Sequence, residues 1–198
     1  MLVLRDLLLG PKRFTDLQRG LPRLATNVLT QRLKQLERDG VVRRRRLQPP
    51  AASTVYELTE YGREFEPVLL AFGRWGAKSL GAPSPGAVTR PEWLCVALKA
   101  FFSADAARSV RATIDLGLGG ERYALRIDRG TLEASVGAPA VADLGLTCDV
   151  PTLLGFLHGA PVPAHALGAE GDLGLLERLP AIFAFGSERP ERAGAPAA

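Results

Sequence analysis

The sequence contains few of the residues that usually build redox, metal or catalytic sites. Cys95 and Cys148 are the only cysteines among 198 residues, too few for a disulfide framework, and we interpret both as small buried hydrophobes. His158 and His165 have no cysteine nearby, so the spacing typical of metal ligands is absent. Paired acids, an activated nucleophile and a phosphate-binding loop are also lacking. We therefore expect no metal, no cofactor and no enzyme activity.

Long hydrophobic runs are lacking too. A membrane helix needs about 20 consecutive apolar residues, and no stretch approaches that length. The N-terminal segment MLVLRDLLLG includes an arginine and an aspartate and has no small-residue cleavage site, so it is unlike a signal peptide. Hydrophobic residues make up 46% and charged residues 23% of the chain, which is ordinary for a globular protein with a core. We expect a cytoplasmic protein without membrane insertion.

The charge is divided unevenly along the chain. Residues 1–82 carry 15 Lys/Arg and 8 Asp/Glu, a net charge of +7, whereas residues 83–198 carry 10 and 13, a net charge of −3. The segment GAPSPGAVTRP lies where the charge changes, and its prolines and glycines predict a linker. We expect a basic module over 1–82 that suits a polyanion, a linker over 83–90, a second module over 91–186 and a flexible tail over 187–198.

Helical periodicity is clearest in the segment LATNVLTQRLKQLERDG. Leu29, Leu33 and Leu36 follow an i, i+4, i+7 spacing and predict one apolar stripe. A shorter helix, RFTDLQRGLP, precedes it, and the tight connection has the spacing of a helix-turn-helix. The opposite face carries amide, hydroxyl and cationic groups, the types that reach base edges and phosphates. The expected DNA-contacting residues of this helix are Thr26, Asn27, Thr30, Gln31 and Lys34.

Four consecutive arginines follow, on the first of two predicted strands. The predicted strands are Val41–Leu47 and Thr54–Leu58. Side chains alternate along a strand, so Arg43 and Arg45 point one way and Arg44 and Arg46 the other. An unpaired buried charge costs several kcal/mol, so we expect these strands to project into solvent or onto an anion. The hypothesis is a wing that lies along a DNA phosphate backbone, and the alternative is a solvated edge strand that resists aggregation.

A further amphipathic helix follows the strands, in the segment LTEYGREFEPVLLAFGRWGAKSLG. Thr59 is a suitable N-cap with glutamates in the next turn, and Pro67 predicts a kink. The apolar stripe of this helix consists of Phe65, Leu69, Phe72 and either Trp75 or Gly76. We expect Trp75 to be exposed and to mark a partner surface. The alternative is packing within its own domain.

Three segments resemble the HxlR-type winged-helix transcriptional regulators, relatives of the MarR-type regulators: LRDLLLGPKRFTDLQRGL, NVLTQRLKQLERDGVV and VYELTEYGREFEPVLLAFGRWG. The resemblance covers residues 2 to about 80 and implies a homodimer that binds double-stranded operator DNA. It implies a recognition helix over Thr26–Arg38, a wing over Arg43–Ser53 and a dimerisation helix over Tyr61–Leu80. Ala25 stands where the family often has a serine cap, and we expect the family's first helix to be missing from this sequence.

The second module changes from helical to strand periodicity. PEWLCVALKAFFSADA predicts a helix with Pro91 in its first turn, and apolar and polar residues then alternate as far as Cys148. The segments GLGGE and DRGT predict hairpin turns. We expect an antiparallel meander of about four strands with one face covered by helices. The protein is therefore predicted to be α+β with two domains, a winged helix-turn-helix followed by this sheet.

These pieces resemble the sterol-carrier-protein-like domain, through ATIDLGLGGERYALRIDRGTLEAS, ADLGLTCDVPTLLGFLHG and AEGDLGLLERLPAIFAF. The resemblance runs from about Glu92 to Gly186 and implies a hydrophobic tunnel that holds lipids or other apolar molecules. The expected pocket residues are Phe101, Phe102, Leu153, Phe156, Leu157, Leu176, Leu179, Ile182 and Phe183. The alternative is a filled core, because apolar residues at helical spacing are also typical of one.

These patterns together predict a DNA-binding transcriptional regulator whose second domain binds an apolar small molecule or lipid as effector. Two alternatives stay open. In the first, the second domain is only a dimerisation or interaction module. In the second, the protein is an enzyme accessory or lipid carrier, since carrier-like domains are attached to some isomerases and transferases.

Overall fold

A computed structural model of the protein describes residues 1–48, 52–80 and 90–185. The predicted tail and nearly all of the predicted linker lie outside these residues, as does the middle of the wing loop, 49–51. Within the described ranges, no helix is both long and apolar enough to cross a membrane. The described chain comprises a helix-rich N-terminal region with a small sheet and a C-terminal region with a larger sheet.

The N-terminal region has the layout of a winged helix-turn-helix. Its elements up to the wing are α1 (Leu2–Leu7), β1 (Lys12–Arg13), α2 (Phe14–Gly20), α3 (Thr26–Arg38), β2 (Val42–Arg46) and β3 (Thr54–Leu58). The strands pair antiparallel in the order β1-β3-β2. α3 and β3 begin and end at the predicted residues, and β2 is one residue shorter at each end. Periodicity does not predict β1, because two residues are too few to show any.

The apolar stripe of α3 forms the centre of the core of this region. Leu29 and Leu33 are 0% and 2% exposed, and they share a buried cluster with Leu17 of α2 and Val42 of β2. Full burial of one leucine contributes about 1.5–3 kcal/mol. These contacts hold α3 on the helix and strand beside it and leave its polar face outward.

Two helices replace the single kinked helix expected after the wing. α4 spans Glu60–Arg63 and α5 spans Glu66–Leu80. Thr59 caps α4 as predicted, because its hydroxyl accepts a hydrogen bond of 3.0 Å from the Gly62 amide. Pro67 is the second residue of α5, where a missing N–H breaks no intrahelical hydrogen bond. The chain therefore breaks before the proline instead of bending at it.

The C-terminal region is a five-stranded mixed sheet with helices packed on one face. Its elements are α6 (Pro91–Ala100), β4 (Arg111–Leu118), β5 (Glu121–Asp128), β6 (Thr131–Val136), β7 (Leu144–Cys148), α7 (Val150–Leu157), a 3₁₀ helix (Ala164–Leu167), β8 (Glu170–Gly171) and α8 (Leu173–Ile182). The strand order is β6-β5-β4-β7-β8. Alternate residues of β4 and β5 are buried, as the period-2 pattern predicts. The expected combination of a winged helix with a sheet-rich second region is confirmed.

The expected antiparallel meander is correct for three strands and wrong for the fourth. β4, β5 and β6 pair antiparallel in sequence. β7 instead pairs parallel to β4, with Leu146 opposite Leu116, and so lies on the side of β4 away from β5. Apolar alternation is the same in half-buried parallel and antiparallel strands, so it does not reveal which neighbour a strand chooses.

The two regions pack against each other mainly through α6. The Arg5 guanidinium of α1 lies 4.4 Å from the centre of the Trp93 ring of α6. Glu66 of α5 forms an ion pair with Lys99 of α6. Further contacts are Lys12 Nζ to Glu92 Oε1 at 3.9 Å and Arg74 Nη1 to the Ala100 carbonyl at 2.8 Å. The boundary between the regions is therefore rich in charged groups.

Candidate nucleic-acid interface

The outward face of α3 is polar and exposed along its length. Asn27, Gln31 and Lys34 are exposed on the side opposite buried Leu29 and Leu33. The side-chain oxygen of Asn27 accepts a hydrogen bond of 2.9 Å from the next backbone amide of the same helix. Gln31 and Lys34 have no side-chain hydrogen bond or ion pair within the described residues. The amide of Gln31 and the ammonium of Lys34 are therefore free to bind a ligand.

The two predicted contact residues with hydroxyl groups are already hydrogen-bonded. Gln18 Nε2 of α2 donates to Thr26 Oγ1 at 2.5 Å, so Thr26 joins α2 to α3 across the turn. Thr30 Oγ1 donates to the Thr26 carbonyl at 2.8 Å, the local bond that threonine often makes within a helix. The DNA contacts of both threonines stay predictions, and such contacts must share or replace these bonds.

Two wing arginines are held by one buried carboxylate. Arg43 Nε donates to Glu57 Oε1 at 2.8 Å, and Arg45 Nε donates to Glu57 Oε2 at 3.0 Å. Glu57 lies on β3 directly opposite Arg43 and is only 6% exposed. Burial acts to raise the pKa of Glu57, but the hydrogen bonds and charges of the two arginines outweigh it, so the pKa lies below its usual value. The predicted alternation of the arginines along β2 agrees with this geometry.

A third arginine ties the wing to the end of α3. Arg44 Nε donates to Glu37 Oε1 at 2.8 Å, and this bond raises the pKa of Arg44. Arg46, near the tip, is exposed and has no ion pair in residues 1–48, 52–80 and 90–185. The sequence predicts that the arginines need solvent or an external anion, but three of the four have an internal partner. Their partners are distant in sequence, so the residue pattern does not reveal them.

Comparison with known proteins identifies the family of the N-terminal region. A family model described as HxlR-like helix-turn-helix matches residues 1–83. Over 77 residues the chain is 39% identical to YdeP, an uncharacterized HTH-type transcriptional regulator of Bacillus subtilis (strain 168), with 39% of this chain and 60% of YdeP covered. It is 35% identical over 77 residues to YvaP, another such regulator of that organism, with 39% of this chain and 71% of YvaP covered. The chain belongs to the HxlR-like helix-turn-helix family.

The similarity to HxlR-like proteins is confined to the N-terminal region. The matched segment spans 60%, 54% and 56% of the length of three curated relatives. Among solved structures, the HTH-type transcriptional regulator ytcD is 38% identical over 40% of this chain and 82% of that chain, with a TM-score of 0.38. The sec-alkylsulfatase Pisa1 from Pseudomonas sp. is 21% identical over 52% of this chain and 18% of that chain, with a TM-score of 0.42. A similarity to Pisa1 of only 21% identity identifies neither fold nor function for this chain.

Two exposed cations of the HxlR-like region were not among the predicted contact residues. Arg23 lies in the turn between α2 and α3, and Arg32 lies on α3 itself, and both are exposed. Arg32 falls beside the leucine stripe on a helical wheel, which is why the division into two faces omits it. Arg23 precedes the helix and has no helical position. The position of Arg23 in the turn of a predicted helix-turn-helix is the sequence signal that could have identified it as a candidate DNA contact.

An apolar stripe is exposed on α4 and α5 of the HxlR-like region. Tyr61, Val68, Phe72 and Trp75 are each between 54% and 65% exposed, and the Phe72 and Trp75 ring centres lie 5.7 Å apart. The inward face of α5 is different, because Leu69 is buried. Exposed Trp75 is as expected. The predicted stripe joined Phe72 and Trp75 to Leu69, whereas in the structure Leu69 is buried and the two aromatic residues are exposed.

Most of the predicted pocket residues of the C-terminal region lie in its buried core. Six of the nine expected pocket residues are at most 5% exposed and belong to the buried cluster: Leu153, Leu157, Leu176, Leu179, Ile182 and Phe183. The remaining three, Phe101, Phe102 and Phe156, are half-buried. The Phe101 ring stacks on Phe185 at 4.6 Å, and the Phe102 and Phe183 rings lie 6.0 Å apart. This packing favours the filled-core alternative.

The cysteines and acidic groups form no reactive cluster in the described part of the chain. Burial raises the pKa of Cys95 to about 12 and that of Cys148 to about 11, so both are protonated thiols at neutral pH. Cys95 is buried and Cys148 half-buried. Across residues 1–48, 52–80 and 90–185, no group of three or more His, Cys, Asp or Glu side chains is placed to hold a metal ion.

Proposed function

We propose that this HxlR-like protein is a DNA-binding transcriptional regulator, with residues 1–82 as the DNA-binding domain and 91–186 as a second domain. One observation carries the proposal: α3 exposes unpaired Gln31 and Lys34 beside a wing whose arginines outnumber their carboxylate partners. Amide and cationic side chains on an exposed helix are the groups that read base edges in the major groove. The regulators YdeP and YvaP, which share this region, support the same role.

Within the proposed interface, different residues contact the bases and the phosphates of the DNA. We expect exposed Gln31, Lys34 and Asn27 to contact bases, with Thr26 and Thr30 beside them. Arg46 contacts phosphate without breaking any existing ion pair. Arg43, Arg44 and Arg45 contribute positive charge while their partners Glu57 and Glu37 fix the wing to β3 and α3. Because Arg44 joins wing and recognition helix directly, we expect both elements to meet the DNA as one unit.

Selection of binding sites from a random duplex DNA pool tests the proposal with the intact protein. We expect a defined motif to be enriched and its affinity to fall steeply with salt, as phosphate contacts require. The variant Gln31→Ala/Lys34→Ala removes two exposed side chains and should fold normally but lose the motif. Glu177→Ala, an exposed position on α8, serves as the control and should retain it. Failure to enrich any motif, with binding insensitive to salt, would contradict the proposal.

We also propose that a second copy of the chain covers the exposed stripe of α4 and α5, so that the regulator is a homodimer. A patch of adjacent exposed aromatic and aliphatic side chains is uncommon on a monomer and marks an association surface. Sedimentation velocity of Phe72→Ser/Trp75→Ser should show a monomer where the unmodified protein is a dimer. Val141→Ser removes an apolar side chain that is 79% exposed in the other region and should leave the dimer intact.

For the second domain we propose a sterol-carrier-like fold, on the strength of its residue patterns and its helix-covered sheet. The packed core favours a role as an interaction module over that of a receptor for an apolar effector. Native mass spectrometry of the purified protein distinguishes the two roles. A bound lipid or acyl mass would favour the effector role, and a protein free of such adducts would favour the interaction module.

A further inference from the structure

A cavity of about 420 Å³ lies at the junction between the two regions. It is lined by the end of α1 and the loop after it, by β3, α4 and α5 of the HxlR-like region, and by α6 and β6 of the C-terminal region. Its volume falls within the range of roughly 300–1,000 Å³ that is usual for small-molecule sites. We call it the junction cavity. It is separate from the apolar pocket that the sequence predicts.

The walls of the junction cavity combine an apolar surface with two unpaired charges. Leu8 supplies apolar surface, and buried Leu7 and Leu58, 2% and 3% exposed, lie behind it in the cavity wall. Arg63 of α4 and Glu133 of β6 also line it, and both are exposed. Neither has a side-chain hydrogen bond or an ion pair in the part of the chain that the structure describes.

The other charged groups of the cavity already have partners. Glu66 is paired with Lys99 across the junction. Glu57 is held by the two wing arginines at 2.8 and 3.0 Å. The cavity therefore offers a ligand one guanidinium and one carboxylate, on opposite sides of the junction, with leucine side chains beside them.

We propose that the junction cavity binds a small amphipathic zwitterion, of which a free apolar α-amino acid is the simplest, with its carboxylate at Arg63 and its ammonium at Glu133. A guanidinium binds a carboxylate through charge-assisted hydrogen bonds, and a carboxylate accepts the same kind of bond from an ammonium. The side chain of the amino acid packs on the leucines. Binding links α4 to β6 and so joins the two regions more firmly.

The position of the cavity connects an occupant to the wing. Glu57 and Leu58 line it and belong to β3, the strand that pairs with the arginine-bearing β2. A ligand that favours one arrangement of the junction therefore acts on the carboxylate that positions Arg43 and Arg45. Couplings of this kind change affinity by roughly 5- to 150-fold. This regulatory part rests on the proposed DNA-binding function, whereas binding of the amino acid does not.

Thermal unfolding of the full-length protein tests the binding directly. The probes are leucine, isoleucine, valine, methionine and phenylalanine, each compared with its amide, which lacks the carboxylate, and its N-acetyl derivative, which lacks the ammonium. We expect at least one free amino acid to raise Tm by about 5–10 °C at a concentration about 100 times its Kd. The matching amide and N-acetyl compound should leave Tm unchanged. No shift with any free amino acid, or equal shifts with the blocked compounds, overturns the proposal.

Two variants locate the site. Arg63→Gln and Glu133→Gln change exposed, unpaired side chains, so both should fold with the Tm of the unmodified protein and lose the ligand-induced rise. Glu177→Gln on α8 is an exposed control outside the cavity and should retain the ligand-induced rise. A rise that persists in both Arg63→Gln and Glu133→Gln places binding elsewhere and overturns the assignment.

Affinity for the selected DNA motif, measured with and without the amino acid that raises Tm, tests the regulatory part. A change within the expected range supports it, and an unchanged affinity with saturated protein overturns it while leaving the binding site in place. If the protein binds no DNA motif at all, the proposed function fails but the Tm experiment still decides the site.

Discussion

The two sheets of this protein carry arginines in different ways. In the five-stranded sheet, Arg111 Nε lies 3.1 Å from Asp128 Oδ1, and Arg122 is paired with Asp115, each bond joining β4 to β5. In the three-stranded sheet, four consecutive arginines on β2 have two carboxylate partners, Glu37 and Glu57. In the first arrangement each of the two arginines has its own carboxylate partner, whereas the second leaves an excess of positive charge at the wing.

The contrast shows that the number of arginines on a strand is a poor guide to its role. Arginines with matched carboxylates in adjacent strands contribute cross-strand pairs of modest energy. An unmatched excess raises the local potential and attracts a polyanion. Glu57 has a further effect, because it holds two arginines in place before any ligand arrives and so lowers the entropy lost on binding.

The largest expected effect comes from removing the wing arginines together. Replacing Arg43, Arg44, Arg45 and Arg46 by alanine should weaken binding to all DNA sequences and lower the slope of log affinity against log salt by about 3–4. Fluorescence anisotropy at several salt concentrations measures that slope. The matched control replaces four arginines of the C-terminal region instead: Arg108, Arg111, Arg122 and Arg126. Equal losses of DNA affinity in the two variants would show that the wing arginines bind DNA no better than the arginines of the other sheet.

The next effect concerns base recognition by α3. Gln31→Ala should cost about 1–3 kcal/mol of affinity for the selected motif and much less for random DNA, because a base contact carries sequence information and a phosphate contact does not. Gln35→Ala is the control, since that amide already donates to Asp39 Oδ1 at 2.8 Å. Competition binding with both DNA types measures the difference. A loss of the same size on random DNA would mean that α3 only positions the protein.

Glu57→Gln tests the carboxylate that holds the wing. Burial acts to raise the pKa of Glu57 from its ordinary value of 4.5, and the two arginines lower it by more. A lowered pKa stabilises the folded protein above the unfolded-state value, and this contribution is lost as pH falls through the folded-state value. We expect the variant to lower the free energy of unfolding by about 1–2 kcal/mol at pH 7. It should also lose less stability than the unmodified protein as pH falls below 4.5.

Urea unfolding at pH 7 and at acidic pH measures both effects. Asp128→Asn in the other sheet removes an exposed partner of Arg111 and should cost less than about 1 kcal/mol. If Asp128→Asn costs as much as Glu57→Gln, the special position of Glu57 is refuted.

The smallest effect concerns the caps of individual helices. Asp149 and Asp172 cap α7 and α8 by accepting hydrogen bonds of 2.7 and 3.0 Å from backbone amides, whereas the cap residue of α3, Ala25, has no polar side chain. Ala25 has the extended backbone of a cap residue, with φ −61° and ψ 145°. Ala25→Ser should therefore raise the free energy of unfolding by about 0.5–1 kcal/mol, and Asp149→Ala should lower it by about 1 kcal/mol. Thermal or urea unfolding measures both changes in free energy. If Ala25→Ser does not raise the free energy of unfolding, the backbone amides in the first turn of α3 gain nothing from a side-chain cap.

Much of the fold follows from patterns that span a single element. The leucine spacing predicts a helix at α3, and the alternation from Thr54 to Leu58 predicts β3, because burial on one face imposes a period that neighbouring residues must follow. The bounds Thr26–Arg38 came from the family resemblance. The break before α5 did not follow from Pro67 alone. A proline limits the helix on its N-terminal side, and whether the chain kinks or restarts there depends on what packs around it.

The residue types of the candidate interface were predictable from the sequence, but the ion pairs among its charged side chains were not. Exposed amide and cationic groups on α3 follow from its helical wheel, and the alternation of Arg43 to Arg46 follows from strand geometry. Glu57 is 14 and 12 residues from the two arginines that it binds, and Glu37 is 7 residues from Arg44. No sequence rule connects residues at those separations, so only the paired strands and the packed helix reveal which charges are neutralised.

The amino-acid sequence by itself determined the local elements, the polar face of α3, the excess of positive charge in the first 82 residues and the apolar character of the second core. Tertiary structure alone decided that β7 runs parallel to β4, that Glu57 holds two wing arginines, that six of the predicted pocket residues pack in a buried core, and that a charged cavity opens between the regions. The physical reason is that periodicity and charge are properties of residues near one another in the chain. The pairing of strands and charges, the packing of a core and the formation of a cavity depend instead on which surfaces, distant in the sequence, come into contact.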